Sequence, residues 1–448
     1  MTKVITYGTY DLLHHGHIRL LKRAKALGDY LIVGVTSEDF DRERGKINVQ
    51  QTLMDRIAAL EATGIPDQIV VEEYEGQKID DIQRYGVDIF TVGSDWVGYF
   101  DYLRDYCEVV YLDRTEGVSS TELRSQKREI SIGLVGNRED NILSKYHREF
   151  AFVNGASVNA LCTSNPQLTS ELQDSIPHIT ENYAELLEHC DAVYLVSDPV
   201  NHYNHVKQAL LNGKHVLCES PISLSRAETQ ELFELAAERN LVLMDALKTA
   251  YAMAYNRLIL LCKSGRIGKI VSVDVTCTSL RDDIISSTNL EGVWNSMCAW
   301  GPTALLPIFH VLGTDYREAN IHSKLLPEHK NFDLFTKINL VYDHAVATLK
   351  VGRGVKAEGD LIISGTKGYV YVPSPWWKTD YFELRYENQN DNKRYFYKLD
   401  GEGIRYELVA FLKAIAASSQ KNIYLDHSIS EAISAVVEQF YQGDFCAL

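Results

Sequence analysis

The chain has 448 residues, with 61 acidic against 45 basic side chains and a formal net charge of −16. That length exceeds one ordinary core, and the mixed strand and helix patterning asks for at least two α/β units. The negative balance disfavours a general nucleic-acid surface and leaves room for a local basic pocket around a small anion. The 8 cysteines show no paired Cys-x-x-Cys spacing for zinc, no apolar run is long enough to span a bilayer, and Met1-Thr2-Lys3-Val4 runs straight into a strand. The expectation is a reduced, cytoplasmic protein with no signal peptide, no membrane span and no resident metal site.

In chain order, Val4 to Gly8 reads as a strand that leaves through Thr9-Tyr10-Asp11 into His14-His15-Gly16-His17, and Ile18 to Ala24 continues as a helix. A strand, a tight turn and a helix start make an anion site. Free N–H groups and the positive end of the helix dipole favour negative charge, Gly16 permits close backbone approach, and His14 and His17 lie one turn apart, so both can face one triphosphate. Further strands are expected at Tyr30 to Val35, Gln68 to Val71, Asp88 to Val92 and Glu108 to Leu112, with helices at Met54 to Ala62 and Asp80 to Tyr85. This alternation implies a parallel, Rossmann-like sheet.

The charged stretch Leu123 to Glu129 marks a boundary, after which Ile130 to Gly136 restarts as a strand with a glycine turn. Strands at Ser157 to Cys162, Ala192 to Val196, His215 to Cys218 and Val242 to Asp245 extend a second doubly wound unit. Strand-rich segments then follow at Ile270 to Cys277, Ala319 to Ser323, Lys337 to Tyr342, Ala345 to Val351, Asp360 to Ser364 and Tyr369 to Val372. Closing helices run from Ile404 to Ala417 and Ser428 to Tyr441. The expected organisation is α/β: a Rossmann-like domain over 1–128, a second Rossmann domain over 129–246, and an α+β open-sheet domain over 247–448.

Two further motifs in the first segment are Val92-Gly93-Ser94-Asp95-Trp96 and Arg114-Thr115-Glu116-Gly117-Val118-Ser119-Ser120-Thr121. With Tyr7-Gly8-Thr9-Tyr10-Asp11 and the His-x-Gly-His turn, they make residues 1 to about 126 resemble the glycerol-3-phosphate cytidylyltransferases. The resemblance implies transfer of CMP from CTP to a polyol phosphate, glycerol 3-phosphate by default, with release of pyrophosphate. In such a reaction a phosphate oxygen attacks the α-phosphorus in line, and donors aimed at the charge on the nonbridging oxygens lower the barrier. By resemblance, His14 and His17 act at the α and β phosphates and Lys46 reaches over from the loop after the second strand. Arg114, Thr115, Ser119 and Thr121 cradle the outer phosphates. Thr9, Tyr10, Gly16, Asp95 and Trp96 belong to the CTP pocket, Asp11 to the acceptor side, and Mg²⁺ accompanies the triphosphate. No general base is needed, because the attacking phosphate is already ionised near neutral pH. Arg44 is the nearest substitute for Lys46, His15 is ordinary surface or packing, and Trp96 reads either as core or as pocket wall. One departure stands out: Gly64-Ile65-Pro66-Asp67 occupies the place after the second helix where the family commonly has a triphosphate-binding arginine.

From about residue 130 the landmarks are His202, Ala209 to Glu219, Ser264 to Ile270, Gly365 to Tyr369, Gly403 and Tyr406-Glu407. They resemble the glucose-fructose oxidoreductase and inositol dehydrogenase family, which joins an NAD(P)-binding Rossmann domain to an open-sheet substrate domain. The family's Glu-Lys-Pro turn is Glu219-Ser220-Pro221 here, and serine offers no cationic donor. The later Asp-x-Gly-x-x-x-His pattern, or its shorter form, aligns with Ala299-Trp300-Gly301-Pro302-Thr303. Arg138 stands where the cofactor turn favours a third glycine, and Cys162-Thr163-Ser164-Asn165 has no acid for a ribose diol. The expectation is a redox-degenerate block that scaffolds, oligomerises or binds a ligand. A regulatory sensor and a bifunctional enzyme that reduces a keto-sugar phosphate are the alternatives, the latter with Arg138 and Ser164 meeting an NADP 2′-phosphate. Lys248, Tyr251 and His310 are the candidates for replacement chemistry, with His310 expected as a hydrogen-bonded core histidine and Trp376-Trp377 as packing. Both families commonly pair, the second through the outer face of its sheet, so a homodimer is expected. The implied partners are CTP and a small polyol phosphate, with no nucleic acid.

Overall fold

The computed structural model describes residues 1–37, 40–41, 49, 51–74, 76–113, 129–137, 142–153, 155–281, 290, 293–397, 399–416 and 425–448, with residues 95 and 400 in backbone only. The chain divides into two compact units, Met1–Arg128 and Glu129–Leu448.

In the first unit, β1 (Lys3–Gly8), α1 (His15–Lys25), β2 (Tyr30–Thr36), α2 (Leu53–Glu61), β3 (Gln68–Glu72), α3 (Gln77–Tyr85), β4 (Ile89–Gly93) and β5 (Glu108–Leu112) alternate along the chain. The strands form one parallel sheet in the order β3-β2-β1-β4-β5. Burial on both faces explains why Leu31 to Val35 reads as a continuous apolar run. Thr52 and Asp55 start α2 with a capping box. Gly76, left-handed at φ +92°, sets the start of α3 at Gln77, three residues before the expected helix.

The second unit begins with β6 (Ile130–Val135), α4 (Ile142–Phe150), β7 (Ala156–Cys162), α5 (Pro166–Leu172), β8 (His178–Thr180), α6 (Tyr183–Glu188), β9 (Ala192–Leu195), α7 (Pro199–Leu211), β10 (His215–Cys218), α8 (Arg226–Glu238) and β11 (Leu243–Asp245). Their strands pair in parallel in the order β11-β10-β9-β6-β7-β8. Next come α9 (Lys248–Tyr251), α10 (Met253–Lys263), β12 (Ile270–Thr278), α11 (Ser296–Leu312), β13 (Glu318–Leu325), β14 (Asp333–Val341), β15 (Val346–Gly352), β16 (Leu361–Gly365), β17 (Tyr369–Val372), β18 (Tyr381–Arg385) and β19 (Lys393–Phe396). The chain closes with α12 (Ile404–Ala416), α13 (His427–Tyr441) and β20 (Cys446–Ala447). The second sheet runs β19-β18-β17-β16-β12-β15-β14-β13-β20 and is mixed, with β12 parallel to β15 between antiparallel neighbours.

The two sheets of this unit are tied by α13, which packs on α8 and α11. Thr229 and Ser434 share a buried hydroxyl contact of 2.7 Å, and Ser225 donates to Glu438 at 3.0 Å. Strands β8, β18, β19 and β20 were outside the expected set. Among the described residues no helix is long and apolar enough to cross a membrane, and all eight cysteines are free thiols.

Candidate active site

The sheet order of the first unit reverses direction between β1 and β4, so the crevice at their carboxyl ends is the place where a parallel sheet receives a ligand. The start of α1 lies after β1 and the turn Ser94–Trp96 lies after β4. The first turn of α1 holds no acidic residue and its last turn holds Lys22, Arg23 and Lys25. No carboxylate within that first turn offsets its positive end, which suits an anion.

His14 is the N-cap of α1, its Nδ1 accepting from the Gly16 N–H at 3.1 Å. That bond assigns the proton of the neutral ring to Nε2. His17 stacks on His14 with ring centroids 3.9 Å apart and 20° between planes, so the two expected catalytic imidazoles form one face. The ring of Tyr10 meets His17 edge-on at 5.5 Å. Tyr10 is buried, its hydroxyl pushed up by desolvation, and its backbone is left-handed at φ +53°. A side chain on Gly8 would collide with that ring at 2.9 Å, which explains the glycine.

Thr9 donates through Oγ1 to Asp41 at 2.9 Å, and Asp11, 2 % exposed, accepts from the Gln51 N–H at 3.0 Å. Asp11 thus closes the turn through the backbone ahead of α2. Trp96 packs against Phe100 (5.8 Å) and Tyr99 (5.3 Å), half-buried at the edge of the core. Asp95 has its backbone in the same turn. Lys46, its substitute Arg44, and Arg114, Thr115, Ser119 and Thr121 lie outside the described residues. Gly64 adopts φ +63°, so an arginine at that position would carry left-handed strain.

Sequence reasoning missed Arg56. Its guanidinium is completely buried, and Nη1 donates to the Thr9 carbonyl (2.9 Å), the Thr36 carbonyl (3.0 Å) and Asp41 Oδ2 (3.0 Å). A signal existed: Arg56 precedes Leu60 by four residues, on the stripe of α2 that faces the core.

In the second unit the sheet reverses between β6 and β9. After β6, a side chain on Gly136 would approach the Val196 carbonyl at 2.9 Å, so this glycine serves strand packing. Asn137 accepts from the Ser164 N–H (2.7 Å) and Thr163 Oγ1 (3.2 Å), stitching the ends of β6 and β7 together where a ribose-binding acid was sought. Arg138 lies outside the described residues. Ser220 is buried and donates to Asp245 at 3.2 Å, with Ser430 donating to the same oxygen at 2.8 Å.

Around that point three carboxyl groups converge. Tyr194 donates to Glu407 at 2.8 Å and to Glu219 at 3.2 Å, and Tyr146, stacked on Tyr194, bonds Glu219. Burial, partly offset by the two serines, pushes Asp245 up to about 7. Burial and the Glu219 carboxylate push Glu407 up as well, with Lys248 opposing. Burial thus disfavours the ionised forms of Asp245 and Glu407, and Ser220 stands where the dehydrogenase family has lysine. Ala299 and Thr303 sit within α11. His310 is half-buried and bonds the Tyr255 hydroxyl at 2.8 Å, and the Tyr251 hydroxyl donates to the Asp245 carbonyl at 2.9 Å. Trp376 is core, and Trp377 packs against Trp300 with ring centroids 4.8 Å apart and 54° between planes. A separate cavity of 460 Å³ opens beside Asp198, Trp294, Asn295, Cys298, Phe332 and Tyr441. Among the described residues no group of His, Cys, Asp and Glu is placed to hold a metal ion.

The crevice of the first unit, with its paired histidines at a helix start, is that of a nucleotidyltransferase. The cytidylyltransferase-like family matches residues 5–126. Similar over 124 residues is the glycerol-3-phosphate cytidylyltransferase of Bacillus spizizenii, 47% identical across 28% of this chain and 95% of the relative. The enzymes of the same name from Staphylococcus aureus and Bacillus subtilis are also 47% identical, each over 126 residues and 28% of this chain, covering 95% and 97% of the relatives. Through its first unit, the chain belongs to the cytidylyltransferase-like family.

The oxidoreductase family with an NAD-binding Rossmann fold matches residues 130–246. A 3-ketoreductase from Actinomadura kijaniata, solved with NADP and TDP-benzene, superposes with a TM-score of 0.62 at 18% identity, covering 71% of this chain and 99% of that one. A levoglucosan dehydrogenase solved with NADH and levoglucosan gives 0.61 at 16% identity, covering 70% and 96%. At these identities the likeness establishes the fold of the second unit.

Proposed function

We propose that the first unit transfers CMP from CTP to a small polyol phosphate, glycerol 3-phosphate being the default acceptor, and releases pyrophosphate. The observation that carries this reading is the stacked His14/His17 pair at the start of α1, in a segment 47% identical to glycerol-3-phosphate cytidylyltransferases. In this reading the imidazoles donate to the α and β phosphates as charge builds there, and Lys46, Arg114, Thr115, Ser119 and Thr121 complete the cradle. Thr9, Tyr10, Gly16, Asp95 and Trp96 bound the nucleotide and Asp11 serves the acceptor side. Mg²⁺ arrives with the triphosphate.

The second unit, in the same reading, is not a working reductase. Its Ser220 hydroxyl is spent on Asp245, and neither Ala299 nor Thr303 can move the hydroxyl proton that a hydride transfer would require. Its role is scaffold, pairing surface or ligand sensor, and the chain works as a cytoplasmic homodimer. The test is product analysis: full-length protein, CTP and Mg²⁺ with glycerol, ribitol or hexitol phosphate, read by ³¹P NMR for a CDP-polyol. A new diphosphate diester with any of them supports the reading, and hydrolysis products alone reject it.

A further inference from the structure

We propose that Arg56 is a positioning residue for the His14/His17 turn, fixing the histidine face through the backbone that leads into it. The inference rests on the cytidylyltransferase reading only for its kinetic test.

The segment between β1 and α1 is strained. Tyr10 and Leu12, neither of them glycine, adopt φ +53° and +49°, conformations that persist only where the surroundings over-determine them. The N-terminal half of α2 supplies that determination. Just ahead of the helix, Gln51 accepts the Leu12 N–H on its side chain (2.7 Å) and donates its own N–H to Asp11 (3.0 Å). One turn into the helix, Arg56 Nη1 holds the Thr9 carbonyl and, at the end of β2, the Thr36 carbonyl. Asp41 completes the node: Oδ2 takes Arg56, while Oδ1 takes the hydroxyls of Thr36 (2.6 Å) and Thr9 (2.9 Å). The turn is gripped at residues 9, 11 and 12, directly ahead of the His14 N-cap, and the Tyr10 ring between those grips touches His17.

The donor economy of Arg56 separates positioning from simple stabilisation. Its Nη1 serves three acceptors, whereas Nε and Nη2, equally buried, have no partner among the described residues. A buried ion pair with unspent donors is a costly way to stabilise a fold, and apolar residues of similar size do that work as well or better. What they cannot do is hold the Thr9 and Thr36 carbonyls at one point.

The experiment follows from that contrast. In the full-length protein, the charge-free pair Arg56→Met/Asp41→Leu removes both charges together and avoids an orphaned ion. Positioning predicts a melting temperature within a few degrees of the parent and kcat for pyrophosphate release at least tenfold lower. The ring-current-shifted Cε1 proton resonances of His14 and His17, assigned by substitution, move toward unstacked values. A folded double variant with parental resonances and kcat within twofold overturns the proposal. If the double variant does not fold, Arg56→Lys, which keeps the charge beside Asp41 without the planar fork, decides it by the same two readouts: lowered kcat with shifted resonances supports positioning, and parental values reject it. If the parent transfers no CMP to any polyol phosphate, the functional reading fails, and the histidine resonances alone decide the role of Arg56.

Discussion

Asp245 lies at the end of β11, wholly buried, with two serine hydroxyls on one oxygen and no partner among the described residues on the other. Burial raises it from an ordinary 3.8 to about 7, an interval worth about 4 kcal/mol at roughly 1.4 kcal/mol per pH unit. The sign follows from proton counting. Between about pH 4 and pH 7 the folded chain keeps a proton that the unfolded chain has released, so stability falls as pH rises through that window and the loss is complete above the folded value. Asp245→Asn removes the ionisation while its amide can still accept one serine hydroxyl and donate to the other, at a cost of about 1 kcal/mol for imperfect geometry. The variant is therefore expected to match the parent or fall slightly below it at pH 4, and to exceed it by about 3 kcal/mol at pH 8. Urea unfolding at both pH values reads this directly, because four of the five tryptophans, Trp294, Trp300, Trp376 and Trp377, belong to the second unit and report its transition. Parallel pH profiles for the two proteins, or a variant weaker than the parent at pH 8, would refute the assignment of Asp245 as a neutral buried acid.

Other outcomes follow from the same geometry. His14→Ala is expected to lower kcat about 100-fold, as loss of one transition-state donor does, and to cost α1 about 1 kcal/mol through its N-cap, visible as a small drop in melting temperature. Gly64→Ala is expected to destabilise the first unit by about 1 kcal/mol, because its φ of +63° is strained for any side chain, and thermal melting checks it. NADPH oxidation with keto-sugar phosphates is expected to stay at background, and Glu407→Gln to raise stability at neutral pH in urea unfolding by removing a carboxyl group whose ionisation burial opposes; turnover with any ketose phosphate would restore a reductase role to the second unit.

The strands that read most plainly in the sequence are short runs rich in valine, leucine and tyrosine. Glu108–Leu112, His215–Cys218 and Tyr369–Val372 have the expected limits, most other expected strands differ by a residue or two at their ends, and β14 starts at Asp333, four residues before the expected Lys337. Strands β18 and β19 hide because Glu383, Arg385, Lys393 and Arg394 interrupt their apolar pattern, Glu383 pairing with Arg385 on its own strand and with Arg394 across the ladder. The histidine turn was legible because strand, turn and helix start each leave a local signature. Arg56 was not, since a guanidinium on an amphipathic helix reads as solvent face unless the carbonyls it meets, 47 and 20 residues away, are already in place. The acidic cluster hides for the same reason, its three carboxyl groups coming from positions 219, 245 and 407.

The central claim is that the His14/His17 pair of the first unit carries the chemistry of the chain. It is tested most directly by steady-state pyrophosphate release from CTP in the presence of glycerol 3-phosphate or another polyol phosphate, comparing the parent with His17→Ala at matched helical content by circular dichroism. The account predicts acceptor-dependent release by the parent and its near-complete loss in a folded variant. Release within a few-fold of the parent in His17→Ala, or none above background from the parent with any polyol phosphate, would contradict it.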